Sequence, residues 1–282
     1  MKILLIGASS YLGARLYFDL KNNHQIIGTY FKTKLSDNFA QLDTTNEEDI
    51  KETISSVNPE VIIHAANYSN VRSCEKDLQM TKLVNEKATE IIVNHSKKIN
   101  CQLIYISTYG VKDISEKYSN IYTLSKLKSE TIIKNSLRNY LILQPRLIIG
   151  MSPNILNDRF SNRLLNNINE KKGGEYDTSW RFQPTYIGHI SEVLELVISK
   201  KINQQTIPIM TKEIKSKFEL AKDIFSSFGI EPIPIDQHNQ LPLVADDLST
   251  LKRLNLPIYS YQEIIEKLIK EYKNANYFQS GL

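Results

Sequence analysis

Lys2-Ile-Leu-Leu-Ile-Gly-Ala-Ser-Ser-Tyr-Leu-Gly13 decides how the rest of the chain is read. Its apolar run, Lys2–Ile6, is too short to span a membrane or to form the core of a signal peptide. It suits a buried strand. A glycine turn follows, and then Tyr11–Leu20, whose apolar residues recur at helical spacing. Strand, glycine turn and helix in immediate succession is the layout in which the N–H groups of a helix N-terminus hold a phosphate. The frame is Gly7 to Gly13, with Ser10 standing where a middle glycine is usual. A serine there still offers an N–H and a hydroxyl. An ordinary strand–helix turn would look the same locally, and what favours a nucleotide is the pattern that continues beyond it.

Strand signals at His24–Phe31, Phe39–Leu42, Glu60–His64, Gln102–Ile106 and Tyr140–Leu143 alternate with helical ones. Asn46 is placed to cap a helix Glu47–Ser56 whose first turn is acidic. Met80, Val84, Ala88, Ile91 and His95 mark an amphipathic helix, and Tyr122–Asn135 reads as another. Short apolar strands between helices predict a parallel sheet covered on both faces, and right-handed crossovers make it a doubly wound, Rossmann-type α/β fold. After residue 150 the rhythm changes. A helix at about 155–170, an extended segment Trp180–Tyr186 and a helix Ile190–Ile198 come next. Beyond them lie a helix capped by Ser216, an edge strand or loop at Ile230–Ile235, and a terminal helix Tyr261–Tyr272. The expected division is a nucleotide-binding part, 1–150, and a small substrate lobe, 151–282, interleaved in one compact unit.

The 282 residues, 41% apolar and 23% charged, exclude disorder and leave room for a large core. Two cysteines cannot build a disulfide framework or a Cys-rich metal site, and no metal is expected. Cys74 and Cys101 are read as unreactive, and His64 as a packed core histidine. The net charge of +4 is spread along the chain. Neither a nucleic-acid groove nor a membrane surface is implied, and cytoplasmic residence is the default.

Two further patterns carry chemistry. The end of the second strand, Gly28-Thr-Tyr-Phe-Lys32-Thr-Lys34, has no acid to accept from ribose hydroxyls. Lys32 and Lys34 suit a 2′-phosphate, so NADPH is preferred and NADH is the alternative. Tyr122-Thr-Leu-Ser-Lys126 puts a phenol and an ammonium on one helical face, where the cation would lower the phenol pKa for proton exchange with a carbonyl or alcohol. Ser107-Thr108, at the end of the fifth strand, places a hydroxyl for the same oxygen.

At these residues the chain resembles the extended short-chain dehydrogenase/reductases, and within them the dTDP-4-dehydrorhamnose reductase family of sugar-nucleotide-binding proteins. The resemblance runs from Gly7–Gly13 through Val61-Ile-Ile-His-Ala-Ala-Asn67, Val84-Asn85, Tyr105-Ile-Ser-Thr108 and Tyr122–Lys126 to Gln183-Pro-Thr-Tyr186. It continues in the layout of Leu241–Tyr272: a Pro-containing segment, a short helix with Leu251 and Leu254, and the terminal helix. It implies Thr108 as catalytic hydroxyl, Tyr122 as general acid and Lys126 as its partner and a ribose ligand. The cofactor would also meet Gly7, Ser9, Ser10, Tyr11, Leu12, Gly13, Thr29, Tyr30, Lys32, Asp43, Thr44, Ala65, Ala66 and Asn67. The substrate, a nucleotide-linked 4-keto-6-deoxy sugar for cell-surface polysaccharide, would meet Asn67, Tyr68, Val71, Thr108, Tyr109, Arg146, Trp180 and Arg181. A homodimer is compatible with the resemblance.

One departure bears on the substrate. Where the family has Ser-Thr-Asp-Tyr-Val-Phe, this chain has Ser107-Thr-Tyr-Gly-Val-Lys112, and the segment from there to Tyr122 is shorter. That implies a differently shaped sugar pocket. It also argues against a sugar 4,6-dehydratase. An NDP-sugar epimerase with tightly held NAD, or a non-catalytic regulatory subunit of the kind that serves methionine adenosyltransferase, are the alternatives.

Overall fold

The computed structural model describes residues 1–115, 118–239 and 244–279. The expected Pro-containing segment that begins at Leu241 lies mostly outside them. Strands β1 (Lys2–Ile6), β2 (Gln25–Tyr30), β3 (Phe39–Gln41), β4 (Val61–His64), β5 (Gln102–Ile106) and β6 (Tyr140–Pro145) form a parallel sheet in the order β6-β5-β4-β1-β2-β3. A seventh strand, Gln205–Ile209, extends the β6 edge and was not expected from the sequence. Its sequence, Gln-Thr-Ile-Pro-Ile, carries a proline, which removes a ladder donor and is tolerated at a sheet edge. Here Pro208 pairs in register with Gln144.

Side-chain alternation divides the core between the two faces of the sheet. Leu4 and Ile6 of β1, Ile62 and His64 of β4, and Leu103 and Tyr105 of β5 point to one face. There they meet Ile50 and Ile54 of α2 (Glu47–Val57) and Ile133 of a helix that begins at Ile121. Ile3 and Leu5, Val61 and Ile63, and Ile104 and Ile106 point to the other. They meet α1 (Tyr11–Leu20) and the helices Ile187–Ser199 and Tyr261–Lys273, the latter followed by a short helix Ala275–Gln279.

The stretch between β4 and β5 is less regular than one amphipathic helix. It comprises α3 (Val71–Lys76), α4 (Leu78–Thr81), a π-helical turn Lys82–Lys87 and α5 (Ala88–Ile99). The turn brings Asn85 into the interior, where its side chain bonds Tyr68 and Ser125. Such turns commonly accompany functional sites. The helix expected near 155 starts at Phe160. Trp180–Tyr186 divides into two short strands, Arg181–Phe182 paired with Lys215–Ser216 and Thr185–Tyr186 paired with Ile148–Ile149. Ser216 caps its helix with a reciprocal bond from Glu219, and Ile233–Ile235 pairs with Glu175–Asp177. Among the described residues no helix is long and apolar enough to cross a membrane.

Candidate active site

The strand order reverses at β1, which has β2 on one side and β4 on the other, and ligands in such sheets bind at that reversal. The register Ile6↔His64 brings Gly7 beside Ala65 and Ala66. Gly7 has φ +88°, and a Cβ there would lie 2.7 Å from the Ala66 nitrogen. A Cβ on Gly13 would lie 2.1 Å from the Gly7 carbonyl oxygen, so both glycines are required by close packing. Ser10 caps α1: its Oγ accepts from the Gly13 N–H at 3.0 Å. The buried Thr29 fixes the loop from the β2 side by accepting from the Gly7 N–H at 3.0 Å.

A cavity of about 800 Å³ opens over this turn. Gly7, Ser9 and Ser10 form its floor, Thr29, Tyr30 and Lys32 one wall, and Asp43 with Thr44 another. Ala66, Asn67 and Tyr68 close it. A tight turn whose two glycines admit no Cβ, a helix N-terminus and an acid-free β2 end fit a dinucleotide. Lys32 lines the wall. Lys34 pairs instead with Asp37 at 3.0 Å.

Ser10 and Asn67 also line a second cavity, of about 500 Å³, together with Tyr11, Leu12, Ala65, Ser107, Thr108 and Tyr122. Thr108 follows β5, where its Oγ1 accepts from the Gly110 N–H at 3.2 Å. Tyr122 sits in the first turn of α6 (Ile121–Ser136), whose start is fixed by a capping box between Asn120 and Thr123. Lys126, one turn later, is fully buried. Its Nζ donates to the Ile106 carbonyl at 2.6 Å and to Asn67 Oδ1 at 2.5 Å, and lies 4.1 Å from the centre of the Tyr105 ring.

This arrangement corrects the expected electrostatics. The ammonium is committed to a carbonyl, an amide and a ring face, and it does not hold the phenol ionisable. Desolvation pushes the Tyr122 hydroxyl up to about 12, with Arg159 opposing and Cys74 adding. Burial pushes Lys126 down to about 7, with Glu130 opposing. In the unliganded protein the phenol therefore carries its proton at neutral pH.

Of the expected substrate residues, Asn67, Thr108, Arg146 and Trp180 line the second cavity and Tyr68 lines the first. Val71, Tyr109 and Arg181 line neither. Val71 is exposed on α3, and Arg181 pairs with Glu219 at 2.8 Å. Tyr109 is buried behind Arg146, whose guanidinium carbon lies 5.4 Å from its ring centre. Arg146 is itself clamped, donating to Asp113 Oδ2 at 2.6 Å and to the Val244 carbonyl at 2.8 Å.

A family model described as the RmlD substrate binding domain matches residues 1–252. The chain belongs to this family. Among similar proteins, a dTDP-4-dehydrorhamnose reductase of Aggregatibacter actinomycetemcomitans is 27% identical over 221 residues, covering 73% of this chain and 70% of that protein. Methionine adenosyltransferase 2 subunit beta of Xenopus laevis is 23% identical over 247 residues, covering 81% and 72%. A crystal structure of dTDP-4-dehydrorhamnose reductase from Bacillus anthracis in complex with NADP superposes with a TM-score of 0.81 at 23% identity, covering 96% of this chain and all of that one.

In this RmlD-family chain the second cavity also receives Asp113, Arg159, Arg163 and Lys217, none of which the sequence motifs single out. Arg159 donates to Ser69 Oγ at 3.0 Å, and Lys217 lies 5.0 Å from the centre of the Trp180 ring. Burial and Arg163 hold the Lys217 ammonium below its ordinary pKa. With Arg146 paired to Asp113 and Arg163 to Asp158 at 2.9 Å, Arg159 and Lys217 leave the cavity with a positive balance suited to an anion. The i, i+4 spacing of Arg159 and Arg163 at the start of a helix was the one available signal.

Behind the site, His64 is fully buried with Nε2 3.2 Å from Thr89 Oγ1, and its Nδ1 has no hydrogen-bond partner among the described residues. Burial, then Lys126, pushes it down to about 3. The unfolded chain binds this proton below the ordinary histidine value of about 6.5 and the folded chain does not. His64 therefore costs the fold stability as the pH falls, about 3 kcal/mol between pH 6.5 and 4. Urea unfolding at those two pH values is expected to show that much less acid loss in His64→Leu than in the parent. Equal losses would rule out this assignment.

Proposed function

We propose that the chain reduces the C4 keto group of a nucleotide-linked 4-keto-6-deoxy sugar with NADPH, in the making of cell-surface polysaccharide. The observation that carries this is the adjacency of two cavities that share Ser10 and Asn67 in their walls. One is floored by the glycine turn, and the other holds the Thr108 and Tyr122 hydroxyls. Family membership and the names of the reductases above support it. The division of labour that fits is cofactor on residues 1–150 and sugar nucleotide mainly on residues 151–282.

When bound, NADPH supplies the hydride. Gly7, Ser9, Ser10 and the start of α1 would hold its phosphates, Lys32 a 2′-phosphate, and Asn67, held from behind by Lys126, the nicotinamide ribose. Thr108 and Tyr122 would donate to the substrate carbonyl, and Tyr122 gives its proton to the oxygen as negative charge grows there. A phenol that is protonated at neutral pH suits the reducing direction. Arg159 and Lys217 would meet the diphosphate, beside the Arg163–Asp158 pair, and Trp180 would lie against the base or sugar.

The test is loss of NADPH absorbance with dTDP- and UDP-linked 4-keto-6-deoxyhexoses, run beside NADH. Turnover with NADPH, faster than with NADH, is the expected outcome. No oxidation of either cofactor with any of these sugars overturns the reading. Sugar interconversion without added cofactor would then identify an epimerase.

A further inference from the structure

Glu130 lies one turn beyond Lys126 on α6 and is 2% exposed. Its Oε1 accepts from Ser107 Oγ at 2.6 Å and from Gln144 Nε2 at 2.7 Å. Its Oε2 accepts from Lys134 Nζ at 2.9 Å. Ser107 immediately precedes Thr108, and Gln144 lies on β6. One buried carboxylate thus joins the strand end that carries Thr108, the neighbouring strand and the helix that carries Tyr122 and Lys126. A carboxylate so enclosed has both oxygens occupied by donors from three elements.

The groups around Lys126 come from every element packed on it. β4 contributes the neutral His64, with Asn67 just beyond its end, and β5 contributes Tyr105. Its own helix contributes Tyr122, and Arg159 acts on that phenol from across the cavity. Burial favours the uncharged amine, and Glu130 is the group that opposes it. We infer that Glu130 is a positioning residue for the reaction: it ties the Thr108 strand end to the Tyr122 helix and sets a carboxylate one turn from Lys126. This inference rests on the catalytic reading of Tyr122 and Lys126. The carboxylate acts through Lys126 and Ser107 and does not line either cavity.

Two variants separate the electrostatic role from a merely structural one, because they move Lys126 in opposite directions. Glu130→Gln is expected to lower the pH at which Lys126 loses its proton by about one unit. The alkaline fall in kcat/KM then moves down by the same amount, a tenfold change in proton affinity. Lys134→Ala, at a half-exposed position, leaves the carboxylate without its counter-cation and is expected to move that fall upward. Ser107→Ala removes a hydrogen bond and no charge, and should leave the fall in place.

Lys126 can also be titrated without substrate, by NMR of the folded chain labelled at lysine Cε, with the signal assigned by Lys126→Arg. A Lys126 midpoint that does not move in the Gln and Ala variants overturns the inference. If Glu130→Gln does not fold, absence of the upward shift in Lys134→Ala overturns it by itself. Because the NMR measurement needs no turnover, failure of this inference is distinguishable from failure of the proposed function.

Discussion

Tyr122→Phe is expected to lower kcat for the NADPH-dependent reduction by 10²–10⁴-fold, roughly the range for removing a positioned proton donor. The KM for the sugar nucleotide should change little, because the ring that lines the cavity remains. The substitution removes one oxygen, which carries its proton at the pH of catalysis because desolvation pushes it up to about 12. The pH dependence has a matching sign. The phenol stays protonated through the neutral and mildly alkaline range. The alkaline fall in activity therefore belongs to Lys126, which burial holds near 7 in the free protein, and the Phe variant should retain that limb at reduced height. Steady-state rates of NADPH oxidation across pH 6 to 9 make the comparison. Equal turnover of the two proteins would remove Tyr122 from the chemistry.

Glu271→Ala is expected to cost about 3–5 kcal/mol of folding stability, the range for stranding one partner of a buried ion pair. Glu271 is 7% exposed and Arg15 is 6% exposed, and they pair at 2.8 Å. Glu271 also accepts from the Tyr186 hydroxyl at 2.6 Å and from the Met151 N–H at 2.8 Å. The Ala variant leaves a buried guanidinium with Asp19 and the Met151 carbonyl as its remaining polar partners. It also leaves an N–H and a phenol without an acceptor. Glu271→Gln keeps the shape and loses the charge, so it should fall between the two. Urea unfolding monitored by circular dichroism reads the difference, and a loss below about 1 kcal/mol would show that water or a neighbour takes over the pairing.

The parts of this molecule legible in its sequence are those where local pattern and global position coincide. β1, β4 and β5 are buried on both faces, so their apolar runs stand out, and the turn after β1 needs a glycine because Gly7 has a positive φ. Asn46 and Ser216 cap their helices as expected because a capping side chain acts within three residues of itself. Gln205–Ile209 was illegible because it is a sheet edge containing a proline, and only pairing to β6 makes it a strand.

The site divides in the same way. Spacing placed Tyr122 and Lys126 one turn apart on one helix. It could not say that the long side chain of Lys126 would reach Ile106 and Asn67, so the expected effect on the phenol failed. Arg146 was expected at the substrate and lines the second cavity, and Asp113, at a position the family pattern does not mark, takes up its charge. Arg163 and Lys217 meet at one cavity from separate helices, a convergence that exists only after folding.

The tie between Arg15 and Glu271 spans 256 positions of the chain, and it bears on how the protein is made. A ribosome delivers residue 15 early, at a point when α1 could already settle on the growing sheet. Its guanidinium must then stay wet, holding that surface of the helix open, until the helix Tyr261–Lys273 emerges to cover it. The half of the chain that carries β1 to β6 is thus born early but finished late, and a nascent chain stalled before residue 271 should remain open to proteases along α1.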